Sequence, residues 1–90
     1  MMQPLHELSI RLDSLRDWPD KIIITEATGI ANVCIQSAHE VTSTIMSRLI
    51  NPNLNASYKL PIFYLIDSIM KTVGGPYAAM FAKVCSNYSN

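Results

Sequence analysis

One short segment, residues 58–72, concentrates the polar side chains that are best suited to chemistry. A helix advances about 100° per residue, so four of them fall on one helical face. These four residues are Tyr64, Asp67, Ser68 and Lys71. Together they can line a peptide-binding groove, in which the carboxylate accepts a hydrogen bond, the phenol forms an apolar wall and the ammonium faces an anion. The carboxylate and the ammonium can equally form an i,i+4 ion pair worth roughly 0.3 kcal/mol, and the sequence leaves both interpretations open.

The rest of the sequence shows no recognisable catalytic or metal-binding motif. It contains no GxSxG, no HExxH and no glycine-rich phosphate loop after a strand. His6 lies near the terminus and His39 follows a helix start, positions that are typical of solvated histidines. Cys34 and Cys85 stand 51 positions apart without a CxxC pair, so we expect free or buried thiols in a reducing compartment. These features predict a protein that is not an enzyme and that needs no cofactor or metal.

The composition predicts a small, neutral domain. Ninety residues fit one domain, and 49% hydrophobic against 16% charged residues predicts a folded chain with a modest core. Seven Lys and Arg balance seven Asp and Glu, which argues against binding to nucleic acid or membranes through charge alone. Charges interrupt the N-terminal residues, and no apolar run reaches the roughly 18 residues of a membrane span. We therefore expect neither a signal peptide nor a membrane-spanning helix.

Hydrophobic periodicity predicts two helices in the first part of the chain. Leucines recur at three- and four-residue steps over residues 5–15, which predicts an amphipathic helix that ends near Trp18-Pro19. Asp20 is placed to cap a second helix at residues 21–34. The β-branched residues at 22–25 favour a strand by propensity, whereas the spacing of the apolar residues that follow favours a helix. We predict the helix, because the alternation of a strand fails after residue 25.

The second part of the chain predicts three more helices, separated by proline and glycine. Ser37 and Glu40 form a capping-box pattern that starts the third helix, and an Asn-Pro pair ends it. The fourth helix covers residues 58–72, with Pro61 early enough that its missing amide hydrogen is not needed. The sequence Gly74-Gly75-Pro76 then ends that helix and starts a fifth. Five helices joined by tight turns predict an all-α fold, arranged as a right-handed helical superhelix.

The segment from Lys59 to Phe81 carries a recognisable motif. Its residues KLPIFYLIDSIMKTVGGPY closely resemble the KLP-x-x-YL-x-DSI-x-K-N-VG-x-x-Y signature of CTD-interacting domains. Within that family, the segment looks most like the Pcf-type subunits of the pre-mRNA cleavage and polyadenylation machinery. Upstream, the resemblance is looser but in register at Asp13–Asp17 and at Thr28–Ala31. It covers most of the ninety residues, as a single partial domain.

The resemblance implies a binding module, with the superhelical fold that ENTH and VHS domains share. Family members bind the phosphorylated heptad repeats of the RNA polymerase II C-terminal tail, which are rich in tyrosine, serine and proline. The resemblance therefore implies a nuclear protein that couples mRNA 3′-end cleavage and polyadenylation to transcription termination. The implied partners are the polymerase tail and other subunits of the cleavage complex, with an association with mRNA and no contact with membranes.

The resemblance also implies a set of peptide-binding residues, which are Tyr64, Asp67, Ser68, Ile69, Lys71, Thr72 and Lys21. Asp67 matches the motif aspartate, which accepts a hydrogen bond from the peptide, and the next two residues belong to the same groove element. Tyr64 and Lys71 match the motif tyrosine and lysine. We place Lys71 near a phosphate, together with Lys21 at the start of the second helix, where exposed amides also favour an anion. Thr72 replaces the family's asparagine, which removes an amide that can donate and accept at once.

The family domain usually has eight helices, one of the later ones forming part of the groove wall, whereas this sequence predicts five. We therefore expect a groove that is open on one side and a fifth helix with an uncovered apolar row. That row consists of Met80, Phe81 and Val84. Two other interpretations stay open. One is an adaptor module of the VHS or ENTH type, against which the neutral charge and the DSI motif argue, and the other is a truncated fragment that has no independent binding.

Overall fold

Five α-helices make up the part of the chain that the computed structural model describes, which is residues 3–88, with side chains described over residues 3–84. The helices are α1 at Pro4–Ser14, α2 at Lys21–Val33, α3 at Ala38–Leu49, α4 at Ala56–Thr72 and α5 at Pro76–Tyr88. A 3-10 turn at Ile35–Ser37 joins α2 to α3, and no strand occurs within residues 3–88. The predicted all-α fold with five helices is confirmed.

Helix α2 forms despite the β-branched residues at its start. The carboxylate of Asp20 accepts hydrogen bonds from the amides of Ile22 and Ile23, at 3.0 and 3.4 Å, and so satisfies two donors of the first turn. Further along, Ala27 and Ala31 are buried in the core. Because packing of an apolar face stabilises a helix more than local propensity does, the helix forms in place of the strand. Both the predicted helix and its predicted cap are confirmed.

The start of α3 differs from the predicted capping box. Ser37 ends the 3-10 turn with a ψ of 32°, whereas a capping serine adopts an extended backbone, and its side chain caps no amide. The turn continues the chain from α2, since the amide of Ser37 bonds the carbonyl of Cys34 at 2.8 Å. The helix begins where the sequence predicts, but the predicted cap is wrong because the preceding turn sets the backbone angles of the serine.

Helix α4 begins two residues earlier than predicted, at Ala56. Asn55 caps it by accepting a hydrogen bond from the amide of Ser57 at 3.2 Å. Pro61 consequently falls in the second turn, where the carbonyl of Ser57 lacks its usual helical donor. The prediction that this amide hydrogen is not needed is therefore wrong. The helix persists because Ser57 is exposed, so that water can satisfy the carbonyl.

One hydrophobic core takes side chains from all five helices. Its largest fully buried members include Tyr77, Phe81, Leu8, Ile45, Leu65 and Ile69. The rings of Tyr77 and Phe81 stack with their centroids 6.2 Å apart. Met80 and Val84 are partly buried against the same core. The expected uncovered row on α5 is wrong for Phe81, which is fully buried because α3 and α4 both pack against α5.

Two glycines carry the chain from α4 to α5. Gly74 and Gly75 adopt left-handed φ angles of 66° and 53°, which glycine takes without strain. The amide of Gly74 bonds the carbonyl of Ile69 at 3.0 Å, so the helix end is closed by the backbone. The predicted stop is confirmed. The sharp turn places α5 so that the Tyr77 hydroxyl donates to the carbonyl of Ala31 in α2, at 2.6 Å within the core.

Helices α2 and α4 pack side by side and run in the same direction. Thr28 of α2 contacts Ser68 of α4, forty residues later in the chain. Just beyond both helices, Ile35 meets Gly75, again forty residues apart, where a Cβ on the glycine would lie 3.5 Å from Cδ1 of the isoleucine. Because the separation is equal at both contacts, the two helices are parallel. The start of α2 therefore lies beside the second turn of α4, near Pro61.

Candidate functional site

A groove of about 350 Å³ lies between α2 and α4. Its lining residues are Thr25, Thr28, Gly29, Asn32, Ser68, Thr72 and Val73. The polar members carry hydroxyls and one amide, and none of the seven carries a charge. The α2 wall is open at Gly29, since nothing lies within 4 Å of the position that a Cβ would occupy there. Such a lining can hydrogen-bond a peptide backbone or small hydroxyl groups without burying a charge.

The floor of the groove is a pair of hydroxyls, those of Thr28 and Ser68. Their oxygens lie 2.8 Å apart, and the Thr28 hydroxyl also donates to the carbonyl of Ile24 at 2.7 Å. Thr28 is buried and Ser68 is half-buried. Buried polar groups require hydrogen-bond partners, and this pair satisfies Thr28 while it joins the two helices. The structure thus places the predicted site residue Ser68 in the groove.

Asp67 and Lys71 lie on the exposed rim of α4, beside the groove. Oδ2 of Asp67 is 3.0 Å from Nζ of Lys71, and the two side chains are 58% and 76% exposed. The i,i+4 ion pair that the sequence allows is present, and at this exposure it contributes about 0.5 kcal/mol or less. Neither residue lines the groove itself, although Asp67 directly precedes Ser68. A pair this weak can share its hydrogen bonds with a ligand at little cost.

Tyr64 lies one helical turn before Ser68 and is half exposed. Leu60 and Phe63 are exposed to a similar degree. Leu60 lies near Tyr64 on the helical wheel, and the two form an apolar strip beside the groove. Phe63 lies about 140° around α4 from Ser68 and faces away from the groove. Lys21 is exposed at the first position of α2, one helical turn before Thr25, and does not line the groove.

Ile69 does not face the groove. It has no exposed surface, because one residue of helix turns the chain by about 100° from Ser68 to the inner face of α4. The assignment of Ile69 to peptide contact is therefore corrected: this side chain supports α4 from inside the core. Thr72, four residues after Ser68, is exposed and lines the groove, and its contact with a peptide stays a prediction.

The α2 wall of the groove contains residues that are not among the predicted site residues. Thr25, Gly29 and Asn32 line the groove opposite α4. They recur at four- and three-residue steps and so share one face of α2. That spacing of small polar residues can be read from the sequence. The face becomes a groove wall only because α4 packs beside it.

A second cavity, of about 250 Å³, lies where α1, α3 and the start of α4 meet. Arg48 of α3 lines it and is committed to α1, where it pairs with Asp13 and donates to the carbonyl of Ser9 at 3.4 Å. A second ion pair, 3.2 Å between Arg11 and Glu26, joins α1 to α2. These charges hold helices together and lie outside the groove.

Two groups with shifted pKa values lie outside the groove. Burial raises the pKa of the Cys34 thiol, and the negative charge of Glu40 raises it further. Burial, with a smaller effect of Cys34, raises the pKa of Tyr77 to about 12. A thiol with a raised pKa keeps its proton at neutral pH and is a poor nucleophile. Neither group adds chemistry to the groove.

The described part of the chain holds no group of three or more His, Cys, Asp or Glu residues that could bind a metal ion. Within the same residues, none of the helices combines the length and the apolar character that crossing a membrane requires.

No protein-family model and no curated protein sequence matches the chain. The likeness to CTD-interacting domains therefore depends on the motif at residues 59–81 and on its upstream register. The function that this likeness implies is accordingly a proposal.

Proposed function

We propose that the protein is a peptide-binding module that takes phosphorylated heptad repeats of the RNA polymerase II C-terminal tail into the groove between α2 and α4. The motif at residues 59–81 supports this choice of ligand. The observation that carries the proposal is where the motif lies: Ser68 and Thr72 line the groove, and Asp67 lies at its rim. In this role the protein acts in the nucleus, at mRNA 3′ ends, with other subunits of the cleavage and polyadenylation complex.

The groove lining suits a ligand that is rich in serine, tyrosine and proline. Uncharged hydroxyls on both walls can exchange hydrogen bonds with serine hydroxyls and with backbone groups. The strip of Leu60 and Tyr64 offers exposed apolar and aromatic surface, against which proline and tyrosine rings of the ligand can pack. The proposal therefore needs no charge inside the groove, and places ligand phosphates at its ends.

Lys21 and Lys71 lie toward opposite ends of the groove. Because Thr28 opposes Ser68 in parallel helices, Lys21 is level with residue 61, ten residues before Lys71. Ten residues of helix span about 15 Å, which an extended peptide covers in about four or five residues. Lys71 keeps further N–H donors for a phosphate while it bonds Asp67. We therefore expect the tightest binding from ligands whose phosphates are four or five residues apart.

The test is a titration of a labelled two-repeat phosphopeptide, followed by fluorescence anisotropy. We expect saturable binding to the wild type. Asp67→Asn removes a charged acceptor at the rim and should weaken binding by about tenfold, the effect of a hydrogen bond to a charged group. The matched control is Glu40→Gln, which removes the same charge from an exposed position on α3 that is not part of the groove lining.

Two outcomes contradict the proposal. The first is a wild type that folds cooperatively, by circular dichroism during a thermal melt, and yet binds no phosphopeptide. The second is an equal loss of affinity in the Asp67→Asn and Glu40→Gln variants. That result would mean that the affinity depends on the net charge of the protein and not on the carboxylate beside the groove.

A further inference from the structure

The direction of the hydrogen bonds at the groove floor determines what a ligand must offer there. A hydroxyl carries one proton, and a carbonyl oxygen can only accept. The Thr28 hydroxyl lies 2.7 Å from the carbonyl oxygen of Ile24, so its proton is committed to that bond. The 2.8 Å contact between Thr28 and Ser68 then requires Ser68 to donate. Both hydroxyl protons are therefore used within the protein.

Ser68 consequently faces the groove with lone pairs alone. Asp67, the preceding residue, adds carboxylate acceptors at the rim. A phosphate oxygen is also an acceptor and carries negative charge, so it is repelled at this position. A backbone N–H or an unmodified hydroxyl instead meets a matching acceptor.

Other hydroxyls of the groove are not restricted in this way. Thr25 and Thr72 make no side-chain hydrogen bond within the residues whose side chains are described, and both are exposed. Their hydroxyls can rotate to donate or to accept, as the ligand requires. Of the two hydroxyls whose protons are committed, Thr28 is buried and Ser68 is only half-buried, so Ser68 is the one that a ligand can contact.

We propose that Ser68 makes the groove floor selective for a hydrogen-bond donor, so that the ligand group seated on it is an unphosphorylated hydroxyl or a backbone N–H. This inference rests on the proposed function and sharpens it. Phosphates are accepted near Lys21 and Lys71, whereas phosphorylation of a hydroxyl that contacts Ser68 blocks binding. Ser68 is then a specificity-determining residue, through which the groove distinguishes one phosphorylation pattern from another.

The experiment scans two-repeat peptides that carry one phosphate each, moved from one hydroxyl residue to the next. Wild type should bind most of these peptides. Peptides whose phosphate would lie at the groove floor should bind more weakly, with a Kd at least about tenfold higher. Ser68→Ala removes the acceptor and should weaken the accepted peptides by about two- to tenfold. Thr28→Val releases the Ser68 proton, so Ser68 can donate and the rejected peptides should gain affinity. Ser43→Ala, an exposed serine on α3, is the matched control.

A second measurement tests the bond direction without any ligand. In NMR spectra, the Ser68 hydroxyl proton should exchange slowly with water in the wild type and in Ser43→Ala, and rapidly in Thr28→Val. A proton that stays protected in Thr28→Val overturns the inference. The inference is also overturned if wild type, Ser68→Ala and Thr28→Val all bind every singly phosphorylated peptide with the same affinity. In that case the proposed function stands. If the folded wild type binds none of the peptides, the proposed function fails and the inference fails with it.

Discussion

The inner and outer faces of α4 hold their side chains in different ways. On the inner face, Leu65 and Ile69 have no exposed surface and are surrounded by the core. On the outer face, Tyr64 is half exposed, and Asp67 and Lys71 are fixed by a single exposed ion pair. One helix therefore carries the stability of the fold on one side and the candidate recognition residues on the other.

This difference means that stability and recognition can be changed separately, even at adjacent positions. Ser68 lines the groove and Ile69 lies in the core, one residue further on. Burial of apolar area supplies most of the free energy of folding, whereas exposed ion pairs contribute little. Substitutions on the outer face should thus leave a folded protein whose binding is altered.

The largest effect is expected for Ile69→Ala on the inner face. Removing a fully buried branched side chain leaves a cavity, and the free energy of unfolding should fall by about 2–5 kcal/mol. Urea denaturation followed by circular dichroism measures it. Phe63→Ala, at an exposed position of the same helix, is the comparison and should cost under about 1 kcal/mol. Similar losses in the two variants would break the contrast between the two faces.

A smaller loss is expected for Tyr77→Phe, which tests a polar group inside the core. The variant removes the hydroxyl that donates to the Ala31 carbonyl at 2.6 Å and leaves the ring in place. The lost hydrogen bond should lower the free energy of unfolding by about 1–2 kcal/mol, measured by urea denaturation at neutral pH. An unchanged stability would show that the buried hydrogen bond does not help to join α5 to α2.

The same tyrosine predicts a pH dependence with a definite sign. Burial raises the pKa of Tyr77 to about 12, above the value of about 10 for an unfolded tyrosine. The unfolded chain therefore loses this proton first, so the contribution is intact below about pH 10 and is lost as the pH rises to about 12. Wild type should lose stability over that interval more steeply than Tyr77→Phe, in denaturation curves at matched pH. An equal loss of stability with rising pH in the two proteins would contradict the assignment of this pH dependence to Tyr77.

The smallest effect on stability is expected for Asp67→Asn on the outer face. It breaks an exposed ion pair, so the free energy of unfolding should change by about 0.5 kcal/mol or less, and less still at 1 M salt. Urea denaturation at low and high salt measures it, with the peptide titration on the same sample. A loss comparable to that of Ile69→Ala would mean that Asp67 is part of the fold and not of a recognition surface.

Much of the local structure could be predicted because its causes lie within a few residues. The Asp20 cap and the glycine stop at Gly74-Gly75 follow from side-chain and backbone properties at those positions. The capping box at Ser37 failed because the 3-10 turn before it, which no local signal revealed, changed the backbone of the serine. Within the candidate site, the face shared by Tyr64 and Asp67 was predictable from the 100° turn per residue, and their exposure was not.

The sequence by itself determined the five helices and the polar stripe of α4, since periodicity, caps and helix stops act over a few neighbouring residues. Only the tertiary structure decided that α2 lies parallel to α4, that the hydroxyls of Thr28 and Ser68 lie 2.8 Å apart, and that Ile69 and Phe81 are sealed in the core. Contacts between residues forty positions apart depend on how whole helix faces pack, and packing is a property of the complete set of side chains and not of any one segment.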